Sequence, residues 1–300
     1  MNYLTLDIGG SSIKYALLNE TGEFIEKGST IAPHQSIEQF VEVIGELYDK
    51  YAEQIVGMAI SMPGAIDPQK GFAYTGGAYK YIKDMEIVKI LQERCPLPIT
   101  IGNDAKCAAN AEVGFGCLKD VDDAAVIILG TGIGGCIVRD GKVHIGKHFS
   151  SGEFSWMRTN GEDGNNPECV WAATNGIPGL LKAVQESVGT KEQYNGKEIF
   201  EMANSGDKKV LAGLDKFCNR LAVQIYNLQA LFDPEKIAIG GISAQPLLLE
   251  LVEKHIEEMY QTGLKANSPI ARPVVVPCQY RNDANLLGAF YQHLHTCKKN

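Results

Sequence analysis

Three short apolar-rich segments open the chain, Tyr3 to Ile8, Ile13 to Leu18 and Glu23 to Ala32, separated by Gly9-Gly10 and Thr21-Gly22. Runs of this length broken by glycine turns predict an antiparallel meander of three strands. The period then changes. Ile37, Phe40, Val41, Ile44, Leu47, Tyr48 and Tyr51 recur at the spacing of an amphipathic helix, and Ser36 followed by Gln39 predicts a capping box at its start. A buried strand from Ile55 to Ser61 ends at Pro63-Gly64, and a short helix lies around Glu86 to Arg94. A strand from Ile99 to Ile101 then runs into Asn103-Asp104, followed by a helix from Ala105 to Val113.

At Ala124 the opening pattern starts again. An apolar strand, Ala124 to Leu129, meets a glycine-rich run from Gly130 to Gly135, and a second strand, Cys136 to Val138, ends at a turn of Asp140-Gly141. Leu6-Asp7-Ile8-Gly9-Gly10 and Leu129-Gly130-Thr131-Gly132-Ile133-Gly134-Gly135 are each a strand, a glycine turn and a returning strand. A unit used twice predicts two similar lobes facing a common cleft. Beyond it the chain is mostly helical. A long helix from Asp207 to Phe232 stops at Asp233-Pro234, a strand from Lys236 to Ile239 enters Gly240-Gly241, and a helix and a short strand, Val274 to Val276, precede a last helix from Asp283 to His295. With Gly114-Phe115-Gly116 as a hinge, residues 1–114 plus 282–300 form the expected smaller N-terminal lobe and 115–281 the larger C-terminal one.

Length and composition agree with two lobes. Three hundred residues, 45% of them apolar, exceed what one core usually organises, whereas lobes of roughly 100–200 residues can each bury their own. The formal charge of −8 works against nucleic-acid or anionic-membrane surfaces, which need basic patches. No apolar run approaches the ~18–20 residues that span a bilayer, and no secretory leader pattern opens the chain, so a cytoplasmic protein is expected. Eight cysteines without a CxxC pair read as reduced thiols.

The glycine turns carry the first candidate chemistry. Asp7-Ile8-Gly9-Gly10-Ser11-Ser12-Ile13-Lys14 sets an acid at a strand end before two glycines whose backbone N–H groups an anion can approach. Ser11, Ser12 and Lys14 add donors and positive charge, and Asp7 is a candidate to hold Mg²⁺ through its water shell. An ordinary hairpin turn is the competing reading. Gly130-x-Gly132-x-x-Gly135 matches a dinucleotide fingerprint by letter, but that motif should open a helix and here leads into a strand. A second phosphate hairpin, including Thr131 and Gly134, is the better reading. Gly240-Gly241-Ile242-Ser243 is a third turn, suited to the flat face of adenine or its ribose.

Asn103-Asp104 lies where a strand gives way to a helix, a common place for a cap. Between two candidate phosphate loops the same pair suits phosphoryl transfer, with Asp104 taking the proton of an attacking hydroxyl and Asn103 holding a neighbouring one. Glu153 is either a solvated loop acid or a ligand for a pair of sugar hydroxyls. Trp156 and Trp171 are either core residues or stacking faces for a sugar ring. His144 and His148 lack a third ligand and predict no metal site.

Taken together, Asp7 to Lys14, Ser61-Met-Pro-Gly64-Ala-Ile-Asp67, Asn103-Asp104, Leu129 to Gly135, Gly152-Glu153 and Gly240 to Ser243 resemble the ROK family of repressors, open reading frames and sugar kinases. The motifs occur in order over nearly the whole chain. The resemblance implies an α/β, two-lobed actin/hexokinase-like (ribonuclease H-like) ATPase fold with a duplicated β-sheet core. It further implies ATP with Mg²⁺, a homodimer, and phosphorylation of a hexose, commonly at O6. Asp104 would then be the catalytic base, and Asn103, Asp104, Glu153 and Gly64 would bind substrate.

Departures from the family pattern refine this. Family glucokinases carry Glu-x-Gly-His followed by a cysteine-rich zinc loop. This chain has Glu153-Phe-Ser-Trp156 and then Asn165-Asn-Pro-Glu-Cys169-Val-Trp171, with one cysteine, so no zinc is expected. The histidine and glutamate that meet the anomeric end of the sugar in those relatives are replaced by Trp156 and Trp171. An apolar anomeric end suits a β-linked aglycone, as in the family's β-glucoside kinases. N-acetylmannosamine kinase, glucokinase and fructokinase are the alternatives. A repressor would need a DNA-binding module before the first phosphate loop, where Asp7 already stands at position seven, and a basic surface. A catalytically silent sugar sensor and an actin-like polymerising ATPase share the fold logic, and intact Asn103-Asp104 favours an enzyme.

Overall fold

The computed structural model describes residues 1–161, 163–190, 194–242, 245–261 and 269–297. The chain forms two compact units. The first comprises Met1–Gly116, Ile145–Ser150 and Asn282–Asn300, and the second Cys117–His144 and Ser151–Arg281. Among the described residues no helix is long and apolar enough to cross a membrane.

In the first unit, β1 (Asn2–Ile8), β2 (Ser12–Asn19) and β3 (Phe24–Ile31) form the antiparallel meander that the glycine turns predict. Strands β4 (Ile55–Met62) and β8 (Ile99–Asn103) extend it in parallel, giving the order β3-β2-β1-β4-β8. Leu4, Leu6 and Ile8 on β1 and Met58 and Ile60 on β4 bury against Phe40 and Ile44 of α1 (Ile37–Tyr51). Each fully buried aliphatic side chain contributes about 1.5–3 kcal/mol. Ser36 caps α1 by accepting from Gln39 N at 3.4 Å. The reciprocal half of the predicted capping box does not form, because Gln39 Oε1 is buried without a partner.

Three strands escape the sequence pattern. β5 (Ile66–Asp67), β6 (Phe72–Thr75) and β7 (Lys83–Met85) make a small separate sheet between β4 and α2 (Ile87–Arg94). They are two to four residues long, too short to show a period. The unit is completed by α3 (Asp104–Phe115) and α9 (Ala284–Cys297), and Phe149 of the 145–150 segment stacks on Tyr74 of β6 at 5.2 Å.

The second unit repeats the sheet. Its order is β11-β10-β9-β12-β13, with β9 (Ala124–Leu129), β10 (Ile133–Arg139) and β11 (Lys142–His144) antiparallel, and β12 (Lys236–Gly241) and β13 (Val275–Pro277) parallel to β9. β10 begins at Ile133, three residues ahead of the predicted Cys136, so Gly134 and Gly135 lie inside a strand. Helices α4 (Trp171–Asn175), α5 (Ile177–Val188), α6 (Gly196–Asn204), α7 (Lys208–Phe232) and α8 (Pro246–Met259) accompany it. Ile127, Leu129, Ile237 and Ile239 share one core with Leu214, Phe217, Leu221 and Ile225 of α7. Asp207 starts α7 by accepting from Lys209 and Val210 N–H at 2.9 and 3.1 Å. The helix ends at Asp233, left-handed at φ 49°, followed by Pro234.

Candidate active site

The β1–β2 turn of the first unit is closed by Gly9 N donating to Ser12 O at 3.0 Å. A side chain at Gly9 would crowd that same oxygen, so the turn itself demands the first glycine. Beside it Asp7 is 9% exposed. Its Oδ1 accepts from Asn285 Nδ2 of α9 at 2.9 Å and from Ser61 Oγ of β4 at 3.4 Å, and Lys14 is its cross-strand partner. Burial raises its pKa, and the Asn285 hydrogen bond, the Lys14 charge and the Ser61 hydrogen bond only partly oppose that rise. A buried carboxylate short of compensating charge, with the Ser61 hydroxyl beside it and the Asn285 amide N–H steadying one of its oxygens, offers oxygen donors that fit a hydrated Mg²⁺. Ser11 and Lys14 are exposed, and Ser12 is half-buried.

Asn103 and Asp104 divide the cap and the acid between them. Asn103 is the N-cap of α3, its Oδ1 accepting from Lys106 N at 3.2 Å while its Nδ2 donates to Gly64 O at 3.0 Å. Asp104 is the first helical residue, where the helix dipole favours a negative charge, and its Oδ1 accepts from Ala105 N at 2.8 Å. The expectation that Gly64 binds substrate takes another form here. Gly64 has φ 115°, a side chain there would run into the Thr75 carbonyl, and its own carbonyl steadies Asn103. That conformation, accessible to glycine, sets the residue next to Asp104.

In the second unit Gly130-Thr131-Gly132 joins β9 to β10, closed by Gly130 N donating to Gly132 O at 3.0 Å. The motif opens a strand, not a helix, so the dinucleotide fingerprint is a coincidence of letters. Ile177 N, at the start of α5, donates to Gly130 O at 2.8 Å. Ser155 Oγ donates to Ile133 O at 2.6 Å and accepts from Ile133 N at 3.0 Å. A Cβ at Gly130 would meet nothing within 4 Å, so no packing inside the unit explains this glycine.

Gly240 and Gly241 differ. They end β12 opposite Ile128 and Leu129. A side chain at Gly240 would press on Ile128 Cδ1 and Cys278 Sγ, and one at Gly241, with φ 79°, on the Leu129 carbonyl. Internal packing accounts for both glycines, and Ile242 packs against the core of the unit. Ser243 lies outside the described residues.

Glu153 is exposed, just after Gly152, whose φ of 75° lets the loop lie against the backbone of Cys136. A 3₁₀ turn, Phe154–Trp156, follows and leaves Trp156 72% exposed. Trp171 corrects the sequence reading. It is 0% exposed, lies 5.8 Å from the Phe154 ring, and donates its indole N–H to Asn175 Oδ1 at 3.1 Å. It is a core residue and offers no face to a sugar. Among the described residues no group of three or more His, Cys, Asp or Glu side chains is placed to hold a metal ion.

Sequence reasoning missed Asn285, Ser155, Tyr79 and His34. Tyr79 OH donates to Gly9 O and His34 Nε2 lies against Gly10 O, both at 2.7 Å. None carries a local motif, since each acts on a turn distant in the chain.

Known proteins resemble the chain along its whole length. The sequence model of the ROK family matches residues 3–295. A beta-glucoside kinase of Listeria monocytogenes is 30% identical over 299 residues, covering 98% of both chains. A beta-glucoside kinase of Klebsiella pneumoniae is 29% identical over 294 residues, covering 97% of this chain and 95% of the other. The crystal structure of a ROK family protein from Streptococcus pneumoniae, in complex with sucrose, superposes with a TM-score of 0.87 at 29% identity over all of both chains. The two glycine-turned sheets are thus those of the actin/hexokinase-like fold, and the chain belongs to the ROK family.

Proposed function

We propose that the chain is an ATP-dependent sugar kinase that transfers the γ-phosphate of ATP to a hexose or β-glucoside hydroxyl, O6 of the ring, with Asp104 as general base. That it is a carbohydrate kinase follows from its family and from full-length relatives named as kinases. The observation that carries the mechanism is Asp104 itself, an acid at a strand–helix junction whose neighbour is locked onto Gly64.

Asp104 accepts the proton of the sugar hydroxyl as that oxygen attacks the γ-phosphorus. The new P–O bond forms while the bond to the β-phosphate breaks, and ADP leaves. Asn103 keeps one amide hydrogen for a sugar hydroxyl after donating to Gly64, and Glu153 takes a second pair of hydroxyls. Gly10 and Ser11 in one turn, and Thr131 and Gly132 in the other, present backbone N–H groups to the phosphates, while the N–H groups of Gly9 and Gly130 close their own turns. Asp7 would hold a hydrated Mg²⁺, which when bound would supply positive charge to the phosphate oxygens.

The preferred acceptor in this reading is a β-glucoside. Two full-length relatives bear that name, and the exposed Trp156 suits an apolar or sugar aglycone. The buried Trp171 lends no support. Purified protein with Mg-ATP is offered cellobiose, glucose, N-acetylmannosamine and fructose, with Asp104→Asn run beside it. Cellobiose should be the best substrate, and the variant should keep sugar affinity while losing ~10²–10⁴-fold in turnover. Glucose outrunning cellobiose would reject the glucoside preference, and normal turnover by the variant would remove Asp104 from the mechanism.

A further inference from the structure

Four successive carbonyls of the β1–β2 turn are held by protein donors. Gly9 O receives Tyr79 OH at 2.7 Å, Gly10 O lies 2.7 Å from His34 Nε2, Ser11 O receives Ala32 N at 3.3 Å, and Ser12 O receives Gly9 N at 3.0 Å. In a planar trans peptide the carbonyl and the following N–H point in opposite directions. Fixing the Gly9 and Gly10 carbonyls therefore fixes the Gly10 and Ser11 N–H groups on the opposite side of the turn, and both residues are exposed.

The anchors form one body. The His34 and Tyr79 rings stack at 5.1 Å and 21°, and Phe40 meets Tyr79 edge-on at 5.8 Å within the core. Burial first, and then the charge of Asp7, push the Tyr79 phenol up to about 12, so it remains a hydrogen donor at neutral pH. The His34 contact requires the proton on Nε2. The need for anchors follows from the glycines. Residues without Cβ let backbone approach an anion, but they also let the Gly9–Gly10 peptide flip and turn a carbonyl outward.

We propose that His34 and Tyr79 are positioning residues that lock the β1–β2 turn with the Gly10 and Ser11 N–H groups facing the nucleotide phosphates, an inference that rests on reading this turn as a phosphate cradle. Neither residue touches the reacting atoms. Their contribution is preorganisation, which appears in nucleotide affinity and not in sugar affinity.

The test is calorimetric titration of the full-length chain with Mg-ATP and, separately, with glucose and cellobiose, for the wild type, Tyr79→Phe, His34→Ala and His34→Gln. Losing one anchoring hydrogen bond should weaken Mg-ATP by about 5–10-fold. Sugar affinity should not change. His34→Gln, whose amide N–H can reach the same carbonyl, should recover most of the loss, and Tyr79→Phe with His34→Ala should lose less than the product of the two. Unchanged Mg-ATP affinity in Tyr79→Phe and His34→Ala overturns the proposal, as does a parallel fall in sugar affinity, which marks a general structural role. A wild-type chain that takes up no Mg-ATP overturns the kinase reading itself, an outcome seen without any variant.

Discussion

The two glycine hairpins share a frame and differ in chemistry. Counting back one residue from each strand end, Asp7 of β1 corresponds to Ile128 of β9, and their parallel neighbours are Ser61 on β4 and Gly240 on β12. Across the antiparallel pair, Lys14 corresponds to Gly134. One hairpin thus sets a buried acid among a lysine, a hydroxyl and the Asn285 amide, while the other sets an isoleucine against two glycines. The carbonyls are tied back differently too, by the Tyr79 and His34 rings in the first unit and by Ile177 N in the second. A duplicated backbone has been given one charged copy that can organise a cation and one neutral copy that offers bare backbone.

The sharpest way to break this contrast is to neutralise the charged copy. Asp7→Asn keeps an acceptor for Asn285 but removes the charge, and turnover should fall by about 100-fold. Stability should move the other way. Because burial raises the folded pKa of Asp7, the folded chain holds its proton longer than the unfolded chain, and stability is lost as pH rises through that interval. The variant should therefore melt no lower than the wild type at pH 7, with the gap narrowing in acid. A variant with normal turnover would show that the acid is only structural.

A second difference separates the units by pH. His293 of α9, 2% exposed, shares a hydrogen bond of 3.0 Å between Nδ1 and Thr100 Oγ1, and burial holds its pKa down at about 4. Below the ordinary value of 6.5 the unfolded chain gains a proton that the folded chain refuses until about pH 4. Stability is thus complete above pH 6.5 and falls as pH drops towards 4, by up to about 3 kcal/mol. Hydrogen exchange should show β1 and α9 amides losing protection over that range in wild type and much less in His293→Gln, with β9 and β12 amides as the internal comparison. Equal pH dependence in wild type and variant would refute the assignment to His293.

How much of this was legible depended on the range of the interaction. The boundaries of α1 and α7 were written locally, in Ser36 and in Asp207 with Asp233-Pro234, and the meanders in glycine turns between short apolar runs. The repeat of strand, turn and strand foretold the second sheet because both copies break two short apolar runs with a glycine-bearing bend, Gly9-Gly10 in one and Gly130-Thr131-Gly132 in the other. The bond from Asn285 to Asp7 joins residues 278 apart, and no spacing rule reaches that far. Trp171 was ambiguous for a related reason: its burial against Phe154 and the core of the second unit is decided by the fold, not by the residues beside it in sequence. Glycine was the residue most easily misread, since a letter read as a cradle from the sequence turns out at Gly240 and Gly241 to be required by close packing.

That last ambiguity sets the smallest and most discriminating comparison, between two glycines of the second unit. Gly241 sits at φ 79°, and a Cβ would strike the Leu129 carbonyl, so Gly241→Ala must strain the backbone or shift β9. Left-handed geometry alone costs a non-glycine residue roughly 1–2 kcal/mol, and the clash adds to it. Gly130 has open space around its missing side chain, so Gly130→Ala should leave stability within about 0.5 kcal/mol of wild type. If the space is kept for phosphate, the methyl group stands where the ligand must come, and Mg-ATP should bind several-fold more weakly. Denaturant titration and calorimetry on both variants therefore separate the two uses of glycine: one should lose stability, the other affinity. A Gly130→Ala chain with unaltered stability and unaltered nucleotide affinity would leave the neutral hairpin without a ligand to serve, and the symmetry of the two turns would then be ancestry in the fold without a shared task.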